Sequence, residues 1–365
     1  MRKLSAVIVL MFLLSGCKSD ERILERLGMV QTSSYDLSED QRLKVTSSIP
    51  VVNPESVSRR ELLVVEADSI KEARLQFSRK TELFLVSGQL RNVLFGLNLT
   101  KAGLGNYLDT LMRDPSVALG VRVSIVDGDA GALLSKDYKQ HADTGQYVDH
   151  LLEKEGGRNS IPQITLYEFS RDYNDDGIDP IAPIIKETED HVVIEGIACF
   201  EQDRYRMKIP AADGMIFALL RGSLNQGEVA LNLGEDGGRK RIVMFSSLGS
   251  QHKLKVIRSE NSRFKVKISA SIQGSVLEYT GSLRLQNKAD RQELEKEISA
   301  KLSSEGNQMI RNLQQHHVDS LGIGQYVRNS LSYREWKSTD WNKVYPSVEI
   351  EFHPKVIIKD YGKYN

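Results

Sequence analysis

The sequence predicts a multi-domain α/β fold: mixed β-sheets packed against helices, with one long helix near the C-terminus. Three observations predict it. Apolar segments of strand length alternate with amphipathic segments of helix length from Leu83 to Glu155. After His191 the texture changes, and strand-like runs dominate as far as Leu285. From Ala289 to His317 one apolar stripe recurs at helical spacing. Strands alternating with helices build sheets with at least one covered face. A chain of 365 residues has room for two or three such domains.

The first segment reads as a targeting signal. Arg2 and Lys3 precede a nine-residue apolar run, Ala6 to Leu14, and then Leu14-Ser15-Gly16-Cys17. The run is too short to span about 30 Å of hydrocarbon, and small residues precede the cysteine. This is the pattern of a bacterial lipoprotein signal, cleaved before Cys17 so that its thiol carries a diacylglyceryl group. Residues 1–16 are then the signal peptide and 17–26 a membrane tether. At ~0.8 kcal/mol per buried CH₂, two or three acyl chains make a lasting anchor.

Beyond the tether, Leu27 to Ser33 reads as a strand, Tyr35-Asp36 as the start of a turn, and Leu43 to Val52 as a strand whose end Pro50 confines to an edge. Asn53-Pro54-Glu55-Ser56 is a loop and Leu62 to Val65 a strand. Ser69 caps a helix through Lys80 that puts Ile70, Ala73 and Phe77 on one face. Leu83 to Val86 and Asn92 to Leu97 are short strands, followed by a helix from Leu99 to Arg113 that Asp114-Pro115 ends. Val117 to Val126 is a strand, Ala130 to Leu134 a short helix, and Gly145 to Glu155 a helix broken at Gly156-Gly157.

Arg171 to Pro183, polar and rich in Asp and Pro, reads as an exposed loop leading out of a first domain at 27–185. A second domain follows at 190–365, with a further division near Asn225. Strands at His191 to Phe200 and Tyr205 to Ile209 flank a turn at Gln202-Asp203, and Pro210 begins a helix ending near Gly222. In the block from Glu228 to Leu285, Val266, Ile268, Ala270 and Ile272 alternate with polar residues, as on a half-exposed antiparallel strand. The long helix carries Leu294, Ile298 and Leu302, then Met309, Ile310 and Leu313; Gly306 divides or kinks it, and Glu297 and Lys301 form an i,i+4 pair. Ser347 to Ile358 is the last strand.

Charge and cysteine content narrow the function. The chain balances 49 basic against 49 acidic residues; loss of Arg2 and Lys3 with the signal leaves 47 against 49, which favours no nucleic-acid partner. Cys17 and Cys199 are the only cysteines, and a lipidated Cys17 forms no disulfide. Cys199 lies in an apolar strand as a packed thiol. The best cation candidate is Asp172-Tyr173-Asn174-Asp175-Asp176-Gly177-Ile178-Asp179, with oxygen ligands at alternate positions before a glycine, like the first half of a calcium loop. The likeness fails at Pro180 and Pro183, and a solvated Asp/Asn turn accounts for the segment. Adjacent His316 and His317 point about 100° apart on a helix and do not chelate together. His141 and His150 are isolated on the surface. Gly222-Ser223 and Gly249-Ser250 lack the surroundings of a catalytic serine, and Gly322-Ile323-Gly324 lacks the third glycine of a dinucleotide site. Trp336 and Trp341 could line a sugar or peptide site, but five residues apart around Ser338-Thr339-Asp340 they read as packing residues. No catalytic, cofactor-binding or metal site is assigned; the one site residue is Cys17, for lipidation.

Several segments together resemble the Ger(x)C family, the lipoprotein C subunits of spore germinant receptors. They are Ser87 to Gly96, Ala102-Gly103-Leu104, Leu108 to Leu111, Arg113-Asp114-Pro115 and Val121 to Ala130; then Pro180 to Met207, with Gly196-Ile197-Ala198-Cys199-Phe200; and last Asp319 to Gly324, Trp336, Trp341 and Tyr361-Gly362. Many members carry Trp-Asp after the lipid cysteine, where this chain has Lys18-Ser19. The resemblance implies a multi-domain α/β fold and a non-enzymatic subunit, lipid-anchored on the outer side of the spore inner membrane. It also implies partnership with membrane-embedded A and B subunits that sense nutrients. The alternative expectation is a solute-binding lipoprotein of a transporter, which would show two similar lobes around a cleft. A cell-wall enzyme would need a carboxylate pair or metal site that the sequence does not display.

Overall fold

The computed structural model describes residues 26–51, 59–141, 143–158, 160–258 and 264–362. The signal segment, Cys17 and the loop from Asn53 to Ser56 lie outside the described residues. In chain order the first half contains β1 (Leu27–Met29), β2 (Thr32–Leu37), β3 (Leu43–Pro50), β4 (Arg60–Ala67), α1 (Ile70–Phe77), β5 (Phe84–Val86), β6 (Asn92–Gly96), α2 (Leu97–Ala102), α3 (Gly105–Met112), β7 (Arg122–Val126), α4 (Ala130–Ser135), α5 (Thr144–Gly157), α6 (Leu166–Tyr173) and β8 (Ile181–Glu187). The second half contains β9 (Val192–Glu201), β10 (Arg204–Pro210), α7 (Gly214–Arg221), β11 (Gly227–Asp236), β12 (Arg239–Arg258), β13 (Phe264–Tyr279), α8 (Lys288–Gln315), α9 (Ile323–Asn329), α10 (Tyr333–Lys337), α11 (Trp341–Val344) and β14 (Glu349–Asp360). The α/β fold expected from the sequence is the fold observed.

An eight-stranded sheet in the order β10-β9-β8-β7-β6-β2-β3-β4 organises the first half. Its centre, β2, β6, β7 and β8, is parallel; antiparallel hairpins extend it at both ends. Parallel strands need both faces covered. Successive residues of β6 meet that need: Val93 and Phe95 join one apolar core, and Leu94 joins the other, under α4 and α5. The sheet crosses the division expected at 185–190, because β9 and β10 continue the ladder from β8. Pro50 ends a strand inside this sheet rather than at an edge; β2 pairs no further than Thr32 opposite Ser48, so the missing N–H interrupts no ladder beside it.

Beyond β10 the second half builds a four-stranded sheet, β11-β12-β13-β14, with α8 laid across one face through Leu294, Ile298, Leu302, Met309, Ile310 and Leu313. β1 and β5 form a separate two-stranded parallel sheet; the two larger sheets differ in size and strand order, so the halves are not copies of one another.

Several local expectations are corrected. Tyr35 and Asp36 lie in β2: Tyr35 packs its ring 5.5 Å from Phe95, and Asp36 accepts from Ala130 N and Gly131 N at the start of α4. The expected helix from Leu99 to Arg113 is two helices, parted at Gly103, whose φ is 123°. There the β9–β10 turn intervenes, since Leu104 N donates to Asp203 O and Gly105 N to its side chain. Gly156-Gly157 remain helical, and Gly306 does not divide α8. Glu297 pairs with Arg241 across to β12, and Lys301 with Glu305, rather than with each other. The segment expected as an exposed loop begins as α6, capped by Thr165 and Glu168, and Asp172 and Asp179 within it are buried.

Candidate functional site at the junction of the two halves

The acidic segment from Asp172 to Asp179 lies where the two sheets meet, against the stretch from Asp319 to Asn342. Each carboxylate has its own partner. Asp172, at the end of α6, is bound by Arg171 at 2.7 Å and by Arg221 of α7 at 2.9 Å; Arg221 also donates to Ser320 O at 3.0 Å. Asp175 takes both guanidinium nitrogens of Arg328, at 2.7 and 3.2 Å, with Gln325 Nε2 at 3.1 Å. Burial pushes Asp175 up, but Arg328, Gly177 N and Gln325 hold it below the usual carboxylate range. Asp176 pairs with Lys337 at 2.9 Å.

Asp179 and Asp319 form the inner part of the clamp. Asp179 N donates to Asp319 O at 3.0 Å, and Asp319 N donates to Asp179 Oδ2 at 2.7 Å. The other Asp179 oxygen accepts from Gln202 N at 2.9 Å, which ties in the β9–β10 turn. Asp319 accepts from Ile323 N at 2.9 Å, Gly324 N at 2.7 Å and Trp341 Nε1 at 2.9 Å, gathering α9 and α11 around one carboxylate. Burial pushes Asp179 up to about 6 and Asp319 up to about 8, against these donors. Gln325 N donates to Gly177 O at 2.9 Å. A side chain at Gly177 would stand 2.6 Å from Gln325 N, and one at Gly324 2.5 Å from Trp341 Nε1, so both glycines permit close backbone approach.

A polar cleft of about 310 Å³ opens between Tyr173, Asn174, Gln202, Trp336, Thr339 and Asn342. Among the described residues no three His, Cys, Asp or Glu side chains converge on a point that would hold a metal ion. The calcium-like spacing does not build a cation cage: Asp172, Asp175, Asp176 and Asp179 turn to four different partners.

The remaining candidates are equally local. Cys199 is fully buried in β9, and burial pushes its thiol up to about 12. His316 Nδ1 donates to Asn312 O within its own helix end, and His141 stacks on Tyr147. His150 is exposed on α5. Ser223 and Ser250 donate to the carbonyls of Ala218 and Leu224. Trp336 and Trp341 pack 5.8 Å apart beneath the cleft. Arg221, Arg328 and Lys337 are the clamp residues that sequence reasoning missed. Asp319 stood in a quoted motif without a role.

The chain matches two families in tandem: the spore germination protein N-terminal domain over residues 20–187, and the spore germination B3/GerAC-like C-terminal domain over residues 195–362. The chain belongs to the Ger(x)C family of spore germination proteins. It is 22% identical to spore germination protein GerQC of Bacillus cereus over 362 residues, covering 99% of each chain. It is 22% identical to the putative spore germination protein YfkR of Bacillus subtilis strain 168, covering 97% of this chain and 95% of that one. The crystal structure of the GerBC protein superposes with a TM-score of 0.60 at 16% identity, covering 92% of this chain and all of the other. This Ger(x)C fold places its family seam, 187–195, between two paired strands of one sheet. Among the described residues no helix is long and apolar enough to cross a membrane.

Proposed function

We propose that the chain is the C subunit of a nutrient germinant receptor: a non-enzymatic protein, anchored through a lipid on Cys17 to the outer face of the spore inner membrane, that acts by contact with the membrane-embedded A and B subunits. The observation that carries the reading is the tandem family match from residue 20 to 362, which begins beside a lipoprotein-type cysteine. The junction supports a contact role. Its charged groups are engaged with one another, so the clamp holds the two halves in one orientation. A partner touching both halves would then meet a single preformed surface, with little ordering cost on binding.

The test is a pull-down of the C-terminally tagged chain from detergent-solubilised spore inner membranes, with mass spectrometry of what accompanies it. Recovery of a multi-spanning protein and a large receptor subunit is expected. Recovery with transporter subunits instead would replace this reading with solute delivery.

A further inference from the structure

The four-stranded sheet buries one face under α8, and among the described residues no helix covers the other. On the covered side Val266, Ile268, Ile272, Val243 and Phe245 are fully buried. The bare side divides into two zones of different chemistry. In the first, two β-bulges interrupt the β12–β13 ladder. Leu248 is the extra residue between Ser247 and Gly249, and Leu277 is the extra residue opposite the step from Met244 to Phe245. A bulge re-aims its extra side chain. Here it turns out two leucines, 59% and 56% exposed, and Ile242 is exposed on the same face.

The second zone is a field of lysines. Lys253 and Lys255 on β12, Lys265 and Lys267 on β13 and Lys355 on β14 occupy alternate, outward positions. Lys255 and Lys267 stand directly opposite each other across the ladder. Facing like charges are destabilising unless something outside neutralises them. Glu349 and Glu351 answer Lys265 and Lys267. Lys253, Lys255 and Lys355 have no ion-pair partner among the described residues. The segregation stands out in a chain of 49 basic and 49 acidic residues.

We propose that this bare face docks on an anionic phospholipid bilayer, with Leu248 and Leu277 entering the headgroup boundary and Lys253, Lys255 and Lys355 meeting lipid phosphates. Apolar side chains beside a lysine field are what interfacial membrane binding requires. A protein partner fits less well. Protein interfaces deplete lysine and favour arginine and aromatics around a continuous apolar core. Among the described residues the lysine zone presents five lysines and His353 but no outward Arg, Trp, Tyr or Phe, and the bulged leucines are separated by Ser246, Gln273 and Ser275. The proposal deepens the reading above, since an anchored N-terminus would keep a bilayer within reach, and its test separates the two.

The full chain is mixed with vesicles of phosphatidylcholine alone, or with phosphatidylglycerol added, and exposed to an amine-reactive reagent; mass spectrometry reads the modification of each lysine. Flotation with neutral vesicles reads the N-terminal anchor. Protection of Lys253, Lys255 and Lys355 by anionic vesicles reads the sheet face. Expected is about five-fold or greater protection on anionic vesicles only, relieved by high salt, with Lys101 on α2 unaffected. Lys253→Glu with Lys255→Glu changes only exposed side chains and is expected to abolish protection of Lys355. Equal modification on both vesicle types overturns the proposal. Protection that appears only with added receptor subunits, whatever the lipid, overturns it in favour of a protein partner. A chain that leaves neutral vesicles bare refutes the anchor alone, because flotation on anionic vesicles then reads the face directly.

Discussion

Asp319 gathers three donors from two helices around one buried carboxylate. Burial raises it to about 8, and raises Asp179 and Asp36 to about 6. Between the ordinary carboxyl value near 4 and these raised values the folded chain holds more protons than the unfolded chain, so stability falls as pH rises through that window. The Tm of the wild-type chain relative to Asp319→Asn is therefore expected to decline from pH 4 to pH 8. A constant difference would show that the donors fully offset the burial. Arg221 is a second sensitive residue. Its replacement by Ala strips one of two cations from the buried Asp172 and orphans Ser320 O. A loss of about 3 kcal/mol in denaturant unfolding is expected. Arg42→Ala, which breaks a solvent-exposed pair with Asp68, should leave the denaturation midpoint essentially unchanged.

At the scale of elements, glycine decides two opposite outcomes. Gly306 sits in the C-terminal half of α8, where a Cβ would lie 2.5 Å from Phe352 Cδ1 on β14. Ala at 306 gains about 1 kcal/mol of helix propensity but overpacks the interface by ~2–3 kcal/mol, so net destabilisation is expected. Gly157, in the last turn of α5, faces open space, and Ala there should stabilise by about 0.5–1 kcal/mol. Calorimetry on the two variants checks the signs. The same scale shows what the sequence disclosed. The stripe of α8 and the alternation of β13 were legible because one face of each is buried along most of its length. The break at Gly103 was not, because Asp203, which binds Gly105 N from 98 residues further along, imposes it. Helix α6 did carry a local signal, the capping pair Thr165 and Glu168. The acidic segment was legible as unusual but not as a clamp. Its partners Arg221, Arg328 and Lys337 lie 49, 153 and 161 residues further along, and no local pattern encodes such distances.

For the whole molecule, the proposed anchor and the proposed docking face are two ways of meeting one membrane. Cys17→Ala is expected to release the protein from spore membranes washed at high salt, which relieves the sheet-face contact, and to slow nutrient germination; a variant that stays bound after that wash and germinates normally would refute the anchor. The eight-stranded sheet has a further consequence, for the exchange of parts between related receptors. Its last two strands, Val192–Glu201 and Arg204–Pro210, come from beyond the end of the first family segment at 187. A hybrid gene spliced at that seam would force β8 of one parent to zip against β9 of another, mismatching Ile181 to Cys199 and Ile184 to Gly196 wherever their sequences have drifted. Splicing just after Pro210 keeps the sheet of one parent whole and confines the foreign contacts to the helix and clamp. Viable recombinants in this family should therefore carry their crossovers past the hairpin, and those cut at the seam should misfold.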